Sequence, residues 1–362
     1  MSPYLVRRIL LEEAVPGMKV AQDILTDTGL ILISQNTILK ENHIDRLKLY
    51  RTPFISIYDS VSVQYERREW IDSTPIKSVQ NIELFKKFRS VYENKQKEVE
   101  NKLFDISEGE KTNGDELFSI SQDIYSLIHS KSELFSFLHH MRSNNDFTYN
   151  HSVNVSLICN LFGQWLGLEE ESLKNLTIAG LLHDIGKMKV DPQILNKPSK
   201  LTSEEFEEIK KHSIYGFEIL QKQAMPDEVK IAVLQHHERF DGSGYPAGAS
   251  NEEIHIFAKI IAIADVYDAM TSKRPYRDKF SPFKVIQTLE KEGYGKLDTK
   301  FLMLFLQNIA YYYLGSWVQL STGEQGEIVF IHPNHLSTPI VRVDQVLRDL
   351  KNEKEIEIEA II

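Results

Sequence analysis

The chain has 362 residues, of which 42% are hydrophobic and 26% are charged, so it has the composition of a globular protein with room for two or three domains. Its formal net charge of −10 argues against broad binding to DNA or RNA, which requires an extended basic surface. The single cysteine, Cys159, excludes an intrachain disulfide and favours a reducing compartment, and no apolar run approaches the ~20 residues of a membrane span. We therefore expect a cytoplasmic protein with no membrane segment and no extended nucleic-acid partner.

Residues 1–63 are predicted to form a small α+β module. Apolar runs at 18–21 and 30–33 favour two strands, with a glycine-containing turn between them. Helical spacing over 42–50 and alternation over 54–58 predict a helix followed by a further strand.

Residues 64–145 are predicted to be a helical connector. Apolar side chains recur at helical intervals over 82–92 and 117–128, and the polar stretch 107–114 separates the two helices. Packing of these helices into a core is favoured over a dimer seam, because heptads are not sustained over the three to four repeats that a coiled coil requires. A homodimer is left open.

Residues 146–314 are predicted to be entirely helical. Thr202 and Glu205 have the spacing of a capping box, which begins a helix that continues through His212. Pro226 is expected to begin the next helix.

Residues 315–362 change to short apolar runs punctuated by glycine and proline, which predicts a small β appendage. The whole chain is therefore predicted to be mainly α, with a helical bundle between a small α+β module and the β appendage.

The helical segment carries histidines and aspartates in an order that suits two adjacent metal ions. They are His151, His183, Asp184, His212, His236, His237 and Asp265. Neutral imidazole suits Fe, Mn or Zn, and one aspartate can bridge two ions through its two oxygens. Asp265 follows the apolar run 260–264, where an unpaired carboxylate would be costly and a metal would give it a partner. The expected product of such a site is a metal-activated hydroxide that cleaves a phosphate ester.

Five motifs surround these residues in a fixed order. They are Thr148-Tyr149-Asn150-His151-Ser152, Leu182-His183-Asp184-Ile185-Gly186-Lys187, His212 with Gly216, His236-His237-Glu238 running into Asp241-Gly242-Ser243-Gly244-Tyr245-Pro246, and the run from Asp265 to Arg277. Together they resemble the HD-GYP family of cyclic-dinucleotide phosphodiesterases, a branch of the HD superfamily of metal-dependent phosphohydrolases. The bundle at 146–314 is then expected to be an HD-type catalytic domain.

The resemblance implies two divalent metal ions, Fe or Mn by preference, with Zn, Co or Ni tolerated by histidine-rich ligation. One ion would be held by His151, His183, Asp184 and Asp265. The other would be held by Asp184, His212, His236 and His237. Some members hold a third metal with a glutamate where this chain has Phe147, so two metals are expected. Asp268, one turn after Asp265, is expected to orient a ligand histidine.

The resemblance also implies hydrolysis of cyclic di-GMP to linear pGpG, by in-line attack of a hydroxide that bridges the metals. Further hydrolysis to GMP is left open. Asp184 would bridge the metals, and Lys187 would contact the phosphate and stabilise the developing charge. Arg274 and Arg277 resemble phosphate-binding cations of the family, and Tyr245 is expected to contact a base. A surface ion pair for either arginine, and a structural role for the tyrosine, stay open.

Three alternatives remain at this point. The substrate could be another cyclic dinucleotide, such as 3′,3′-cGAMP. The chain could instead be a catalytically silent receptor that binds the nucleotide and signals through residues 1–145, although its complete set of predicted ligands argues against this. A mononucleotide phosphohydrolase of the broader HD superfamily is the third alternative, and the Gly-Tyr-Pro loop disfavours it.

Overall fold

The computed structural model describes residues 5–11, 14–25, 31–49, 54–59, 83–128, 131–141, 147–197, 199–272 and 280–362. They belong to two units, Met1–Pro75 and Ile76–Ile362. The first unit is α+β, and the second is a helical bundle followed by a β-sheet, so the predicted fold class is confirmed. The domain boundaries at residues 63, 145 and 314 stay predictions.

The first unit contains β1 (Leu5–Leu10), β2 (Lys19–Val20), β3 (Ile24–Leu25), β4 (Ile31–Ile33), α1 (Glu41–Leu49) and β5 (Phe54–Asp59). One antiparallel sheet has the order β1-β5-β2, and β3 pairs with β4. Strand β1 is absent from the sequence predictions because the adjacent Arg7 and Arg8 interrupt the period-two alternation. Its pairing with β5 along its whole length supplies what the local pattern lacks.

The second unit begins with a long run of helices. Their bounds are α2 (Glu83–Ser107), α3 (Gly114–Tyr125), α4 (Lys131–Met141), α5 (Phe147–Leu166), α6 (Glu170–Leu182), α7 (Pro192–Leu195), α8 (Ser203–Lys210), α9 (His212–Gln221), α10 (Asp227–Gln235), α11 (Ile256–Thr271), α12 (Pro282–Glu292) and α13 (Thr299–Tyr312). Short 3-10 helices occupy Ile185–Lys189 and Asn251–Glu253. No helix within the described part of the chain is both long enough and apolar enough to span a bilayer.

Helices α5 and α11 form the centre of the bundle. Every residue of α5 from 152 to 163 is buried, and α11 buries most of its apolar residues between Phe257 and Tyr267. A helix that is buried on all sides must be surrounded by other helices, and here α5 packs against α6, α11 and α2. These contacts bring the N-terminal half of α5 close to the middle of α11, although the two segments are more than a hundred residues apart in sequence.

The predicted capping box is present at the start of α8, where Thr202 and Glu205 bond to each other's backbone amides. The predicted continuous helix is interrupted at Lys211, where α8 ends and α9 begins with His212. The Ile209 carbonyl accepts a hydrogen bond from His212 Nδ1 at 2.7 Å, so this turn also orients the His212 imidazole.

The chain ends in an antiparallel sheet. Its strands are β6 (Trp317–Leu320), β7 (Gln325–His332), β8 (His335–Val343), β9 (Val346–Asp349) and β10 (Ile358–Ile361), in the order β10-β6-β7-β8-β9. Ser281 Oγ, at the start of α12, donates a 2.6 Å hydrogen bond to the Ile358 carbonyl. Glu290 accepts hydrogen bonds from Leu336 N and Ser337 Oγ, so α12 holds the sheet against the bundle.

Candidate metal centre

The seven predicted ligands converge from five helical elements on one place in the bundle. His151 lies in the second turn of α5, His183 and Asp184 directly follow α6, His212 begins α9, His236 and His237 directly follow α10, and Asp265 lies in α11. Helix ends suit this purpose because the chain changes direction there, which lets adjacent residues aim at the same pocket. His183, Asp184, His212 and His236 are buried, and the other three ligands are half-buried.

The donor atoms form two groups, and within each group all atoms lie within 4.8 Å of one another. The first group is His151, His183 and Asp265. The second group is Asp184, His212, His236 and His237. These groups coincide with the two ligand sets expected from the sequence, apart from Asp184, which was expected in both.

Asp184 lies between the two groups, with one oxygen towards each. Its Oδ2 is 3.3 Å from His183 Nε2 and 3.8 Å from His151 Nε2. Its Oδ1 is 3.4 Å from His212 Nε2 and 3.9 Å from His236 Nε2. This is the placement that a carboxylate bridging two cations requires.

The tautomers of three histidines are set by the backbone. The Nδ1 atoms of His183, His212 and His236 lie 2.7–2.8 Å from the carbonyl oxygens of Gly180, Ile209 and Val233, each three residues earlier in the chain. A carbonyl only accepts, so Nδ1 must carry the proton and Nε2 keeps its lone pair. All three Nε2 lone pairs therefore face the cluster, in the orientation that a metal-ligating histidine adopts.

Several of these donor atoms lack a protein partner that would suit them. His183 Nε2 and Asp184 Oδ1 are buried and make no hydrogen bond within the described residues. His212 Nε2 and His236 Nε2 are 3.2 Å apart, although neither carries a proton in the tautomers fixed above. Facing lone pairs and an unsatisfied carboxylate oxygen are unfavourable in a buried place unless a cation lies between them. The residues present therefore fit a metal site.

Burial keeps the second group of histidines neutral. It lowers the pKa of His212, lowers that of His236 well below its ordinary value, and lowers that of His237 to about 3. Burial alone would raise the pKa of Asp184, but the nearby Lys187 ammonium holds it well below the usual range. Neutral imidazoles and an ionised carboxylate are the protonation states in which these side chains bind metals.

His151 has the opposite tendency. Burial lowers its pKa, but hydrogen bonds to Asp265 at 3.0 Å and to Asp268 at 2.8 Å raise it to about 9. The pKa of Asp265 lies well below its usual range, since His151 outweighs the effect of burial. A proton on His151 Nε2 thus occupies the place between two ligands where a cation would compete with it.

Comparison with known proteins finds a matching family model and several relatives. Residues 136–301 match the model of the HD domain family. The chain is 37% identical over 204 residues to a cyclic di-GMP phosphodiesterase of Pseudomonas aeruginosa, covering 56% of this chain and 49% of that protein. It is 35% identical over 216 residues to 3′,3′-cGAMP-specific phosphodiesterase 1 of Vibrio cholerae, covering 59% of this chain and 46% of the relative.

The second unit therefore contains a region that matches the HD domain family. The HD-GYP resemblance drawn from the sequence is confirmed. The chain spans about half the length of the curated relatives it matches. A solved structure, an HDG"Y"P protein from Bdellovibrio bacteriovorus, aligns with a TM-score of 0.49 and 16% identity over 83% of this chain and 98% of the other.

Within the HD domain, Lys187 lies beside the aspartate that separates the two groups. Its ammonium group donates a hydrogen bond to Asp184 Oδ2 from the 3-10 helix Ile185–Lys189. That helix lies so close to α9 that a Cβ atom at Gly186 would overlap the His212 carbonyl and the Gly216 amide. Lys187, which is predicted to contact the phosphate, therefore lies next to the candidate metal ligands.

The Gly-Tyr-Pro loop of the HD domain folds back over His237. Tyr245 N donates a hydrogen bond to the His237 carbonyl, and Ala247 N donates one to the buried Glu238 carboxylate at 2.8 Å. Gly244 lies so close to the turn beneath it that a Cβ atom would meet the Glu238 backbone. The loop thereby stacks the Tyr245 ring on the His237 imidazole, with 4.7 Å between ring centroids and 29° between planes.

Lys210 is a neighbour of the site that sequence analysis missed. Its ammonium group lies 5.6 Å from the centroid of the Tyr245 ring and 5.1 Å from that of Phe206, and it pairs with Glu207. Its position two residues before His212 and four after Phe206 was a usable signal, since residues four apart share a helix face.

Two further residues missed by the sequence analysis are buried behind His151. Asn154 and Tyr92 connect to the ligand set through Asp268. Tyr92 and Asn154 are 62 positions apart, and Asn154 and Asp268 are 114 positions apart. Contacts between such distant positions leave no local pattern in the sequence. The predicted contact of Asp268 with a ligand histidine is present, on His151 Nδ1. Arg274 and Arg277 lie outside the described residues, as does the side chain of Phe147.

Proposed function

We propose that this chain is a dimetal phosphodiesterase that hydrolyses cyclic di-GMP to linear pGpG. The observation that carries the proposal is the position of Asp184 between two groups of histidine and aspartate donors, with one oxygen facing each group. Two adjacent cations joined by a carboxylate are a recurrent arrangement in enzymes that cleave phosphate esters.

The residues assigned to the two ions are those of the two groups, with Asp184 shared by both. Divalent metals in such a site polarise a phosphoryl oxygen and bring the pKa of water towards neutrality. We propose Fe or Mn, because a set of five histidines and two aspartates combines nitrogen donors with hard oxygen donors. Zn, Co and Ni are also compatible with it.

The protein's own cations are proposed to bind the phosphates. Lys187 reaches Asp184 from one side, and Lys210 lies over the Tyr245 ring that stacks on His237. A phosphodiester seated on the metal centre would therefore meet ammonium groups at its edge, and these groups concentrate positive charge locally in a chain with a net charge of −10. Tyr245 is proposed to contact a base, and Arg274 and Arg277 are proposed as further phosphate ligands.

Cyclic di-GMP is proposed over 3′,3′-cGAMP because the Pseudomonas relative, named for cyclic di-GMP, has the higher identity. The Vibrio relative named for 3′,3′-cGAMP is similar enough to make that nucleotide the second candidate substrate. A cytoplasmic location stays a prediction of the sequence, and further hydrolysis of pGpG to GMP stays open.

The test is turnover by anaerobically purified protein whose metal content has been measured. Cyclic di-GMP and 3′,3′-cGAMP are supplied separately, and products are followed by chromatography. We expect pGpG from cyclic di-GMP, its loss in Asp184→Ala, and its retention in Asp191→Ala, an exposed aspartate seven residues further on. Faster turnover of 3′,3′-cGAMP would replace the substrate. Absence of turnover of either nucleotide by protein with two metals bound would favour a silent receptor.

A further inference from the structure

A chain of buried hydrogen bonds leads from helix α2 to His151. Asp268 Oδ2 lies 2.8 Å from His151 Nδ1, and Asp268 Oδ1 accepts a 2.9 Å hydrogen bond from Asn154 Nδ2. Asn154 Oδ1 in turn accepts a 2.6 Å hydrogen bond from the hydroxyl of Tyr92, which also lies 3.2 Å from the Asn150 carbonyl oxygen. These hydrogen bonds therefore connect three helices: α2, α5 and α11.

Each group in this series of hydrogen bonds can be oriented in only one way. An ionised carboxylate only accepts hydrogen bonds, so Asp268 must meet the Asn154 NH2 group and the protonated Nδ1 of His151. The amide oxygen of Asn154 must then face Tyr92, whose hydroxyl must donate. A flipped amide would place its oxygen against the Asp268 carboxylate. The Asp268 carboxylate thereby sets the direction of each hydrogen bond, and the Tyr92 hydroxyl completes the series at the Asn154 amide oxygen.

These hydrogen-bonded side chains are also shielded from water. The fractional exposures of Tyr92, Asn154 and Asp268 are 1%, 2% and 0%. Water cannot replace a lost partner at this depth without rearrangement, and hydrogen bonds in such surroundings are stronger than at the surface. A change at Tyr92 therefore alters the hydrogen bonding of Asp268, because solvent cannot supply the lost partner.

Tyr92 is held in place by an aromatic cluster that is independent of the metal ligands. Its ring lies 5.7 Å from that of Phe88, which lies 5.0 Å from Phe137 in α4. Helix α2 precedes residues 136–301, the stretch that matches the HD domain. The hydroxyl therefore reaches the centre from an element that lies outside the matched domain.

We propose that Tyr92 is a positioning residue for the metal centre, acting through Asn154 and Asp268 to fix the imidazole of His151. These hydrogen bonds hold the His151 imidazole so that its Nε2 atom faces Asp265 and Asp184, at 3.0 and 3.8 Å. Loss of the hydroxyl loosens this orientation and weakens the site of His151, His183 and Asp265. The proposal rests on the metal centre proposed above, and it does not depend on the identity of the nucleotide.

The test is metal binding by the full chain in the absence of nucleotide. Metal-free protein is titrated anaerobically with Mn²⁺, and the free ion is counted by electron paramagnetic resonance. We expect Asp268→Asn to weaken one of two Mn²⁺ sites by roughly 10- to 100-fold, the usual effect of removing the outer partner of a ligand histidine. Tyr92→Phe should weaken the same site by roughly 3- to 10-fold, because it acts two hydrogen bonds further out.

The matched control is Tyr312→Phe. Tyr312 is also buried, and its hydroxyl accepts a 2.9 Å hydrogen bond from Trp165 of the same helix α5. Trp165 is eleven residues beyond Asn154, roughly 16 Å along the helix. This variant removes a buried tyrosine hydroxyl without touching the chain to His151, so Mn²⁺ binding should stay within about twofold of the parent protein.

A double-mutant cycle separates positioning from general loosening of the fold. If Tyr92 acts through Asp268, then Tyr92→Phe has no further effect on Mn²⁺ affinity once Asp268→Asn is present. Unchanged affinity in Tyr92→Phe, equal weakening in Tyr312→Phe, or full additivity in the double variant would each overturn the proposal. Asn154→Ala carries the same expectation and serves if Tyr92→Phe does not fold. Absence of Mn²⁺ binding by the parent protein would instead contradict the proposed function itself.

Discussion

At the scale of single residues, the candidate centre depends on hydrogen bonds that orient side chains before any ligand arrives. Three histidines donate Nδ1–H to carbonyl groups of their own preceding turn, which leaves Nε2 available towards the cluster. Ligand identity could be predicted from the order of His and Asp in the sequence. Orientation could not, because it depends on the backbone path at each helix end.

Lys210 offers a test of substrate binding at this scale. Lys210→Met should raise the KM for cyclic di-GMP by about tenfold, which corresponds to about 1.4 kcal/mol, because an ammonium group near Tyr245 is lost. The kcat and the metal content should change little, because Lys210 is not among the ligand groups. Steady-state kinetics with metal analysis measures all three quantities.

Lys211→Met is the control, since Lys211 is the next residue and pairs with Glu208 on the exposed side of α8. It removes the same charge from the chain without removing a contact to Tyr245. An equal rise in KM for both variants would show that the effect is general electrostatics, and an unchanged KM for Lys210→Met would remove this residue from the binding surface.

At the scale of elements, the site depends on how closely short segments approach one another. The 3-10 helix that follows Asp184 packs on the start of α9, and the absence of a Cβ atom at Gly186 permits this contact. The sequence predicted the helices of the bundle through apolar periodicity, which is weaker in α5 and α11 because these helices are buried on most sides. It did not predict the break at Lys211, since Phe206, Ile209 and His212 keep a helical spacing across it.

Gly186→Ala tests this packing. A Cβ atom at this position would overlap the backbone of His212 and Gly216, so the two segments must separate and Asp184 must move away from His212. We expect a loss of stability of about 1–3 kcal/mol from overpacking, together with loss of at least one bound metal per chain. Chemical denaturation and metal analysis of the purified variant measure the two effects.

Gly114→Ala is the matched change in a place with room. A Cβ atom there would be 3.4 Å from Ile178 Cδ1, an ordinary contact, at the start of α3. Its stability should stay within about 0.5 kcal/mol of the parent protein. Full metal content in Gly186→Ala would show that the close approach of the 3-10 helix to α9 is unnecessary for the centre.

At the scale of the whole molecule, local patterns were sufficient for the fold class and family, but not for long-range contacts. The α+β first unit, the helical bundle and the final sheet follow from periodicity and from glycine and proline punctuation. The contacts of Tyr92, Asn154 and Asp268 join segments far apart in sequence, so only the folded chain shows them. The functional roles of Lys187, Tyr245, Arg274 and Arg277 stay predictions.

The helical bundle is proposed to hold two metal ions, one on either side of Asp184. Anomalous X-ray scattering from crystals of Mn²⁺-loaded protein, measured at the manganese edge, tests this most directly. We expect two peaks, one beside His151, His183 and Asp265 and the other beside His212, His236 and His237, with Asp184 in contact with both. A single peak, or peaks that Asp184 does not join, would contradict it.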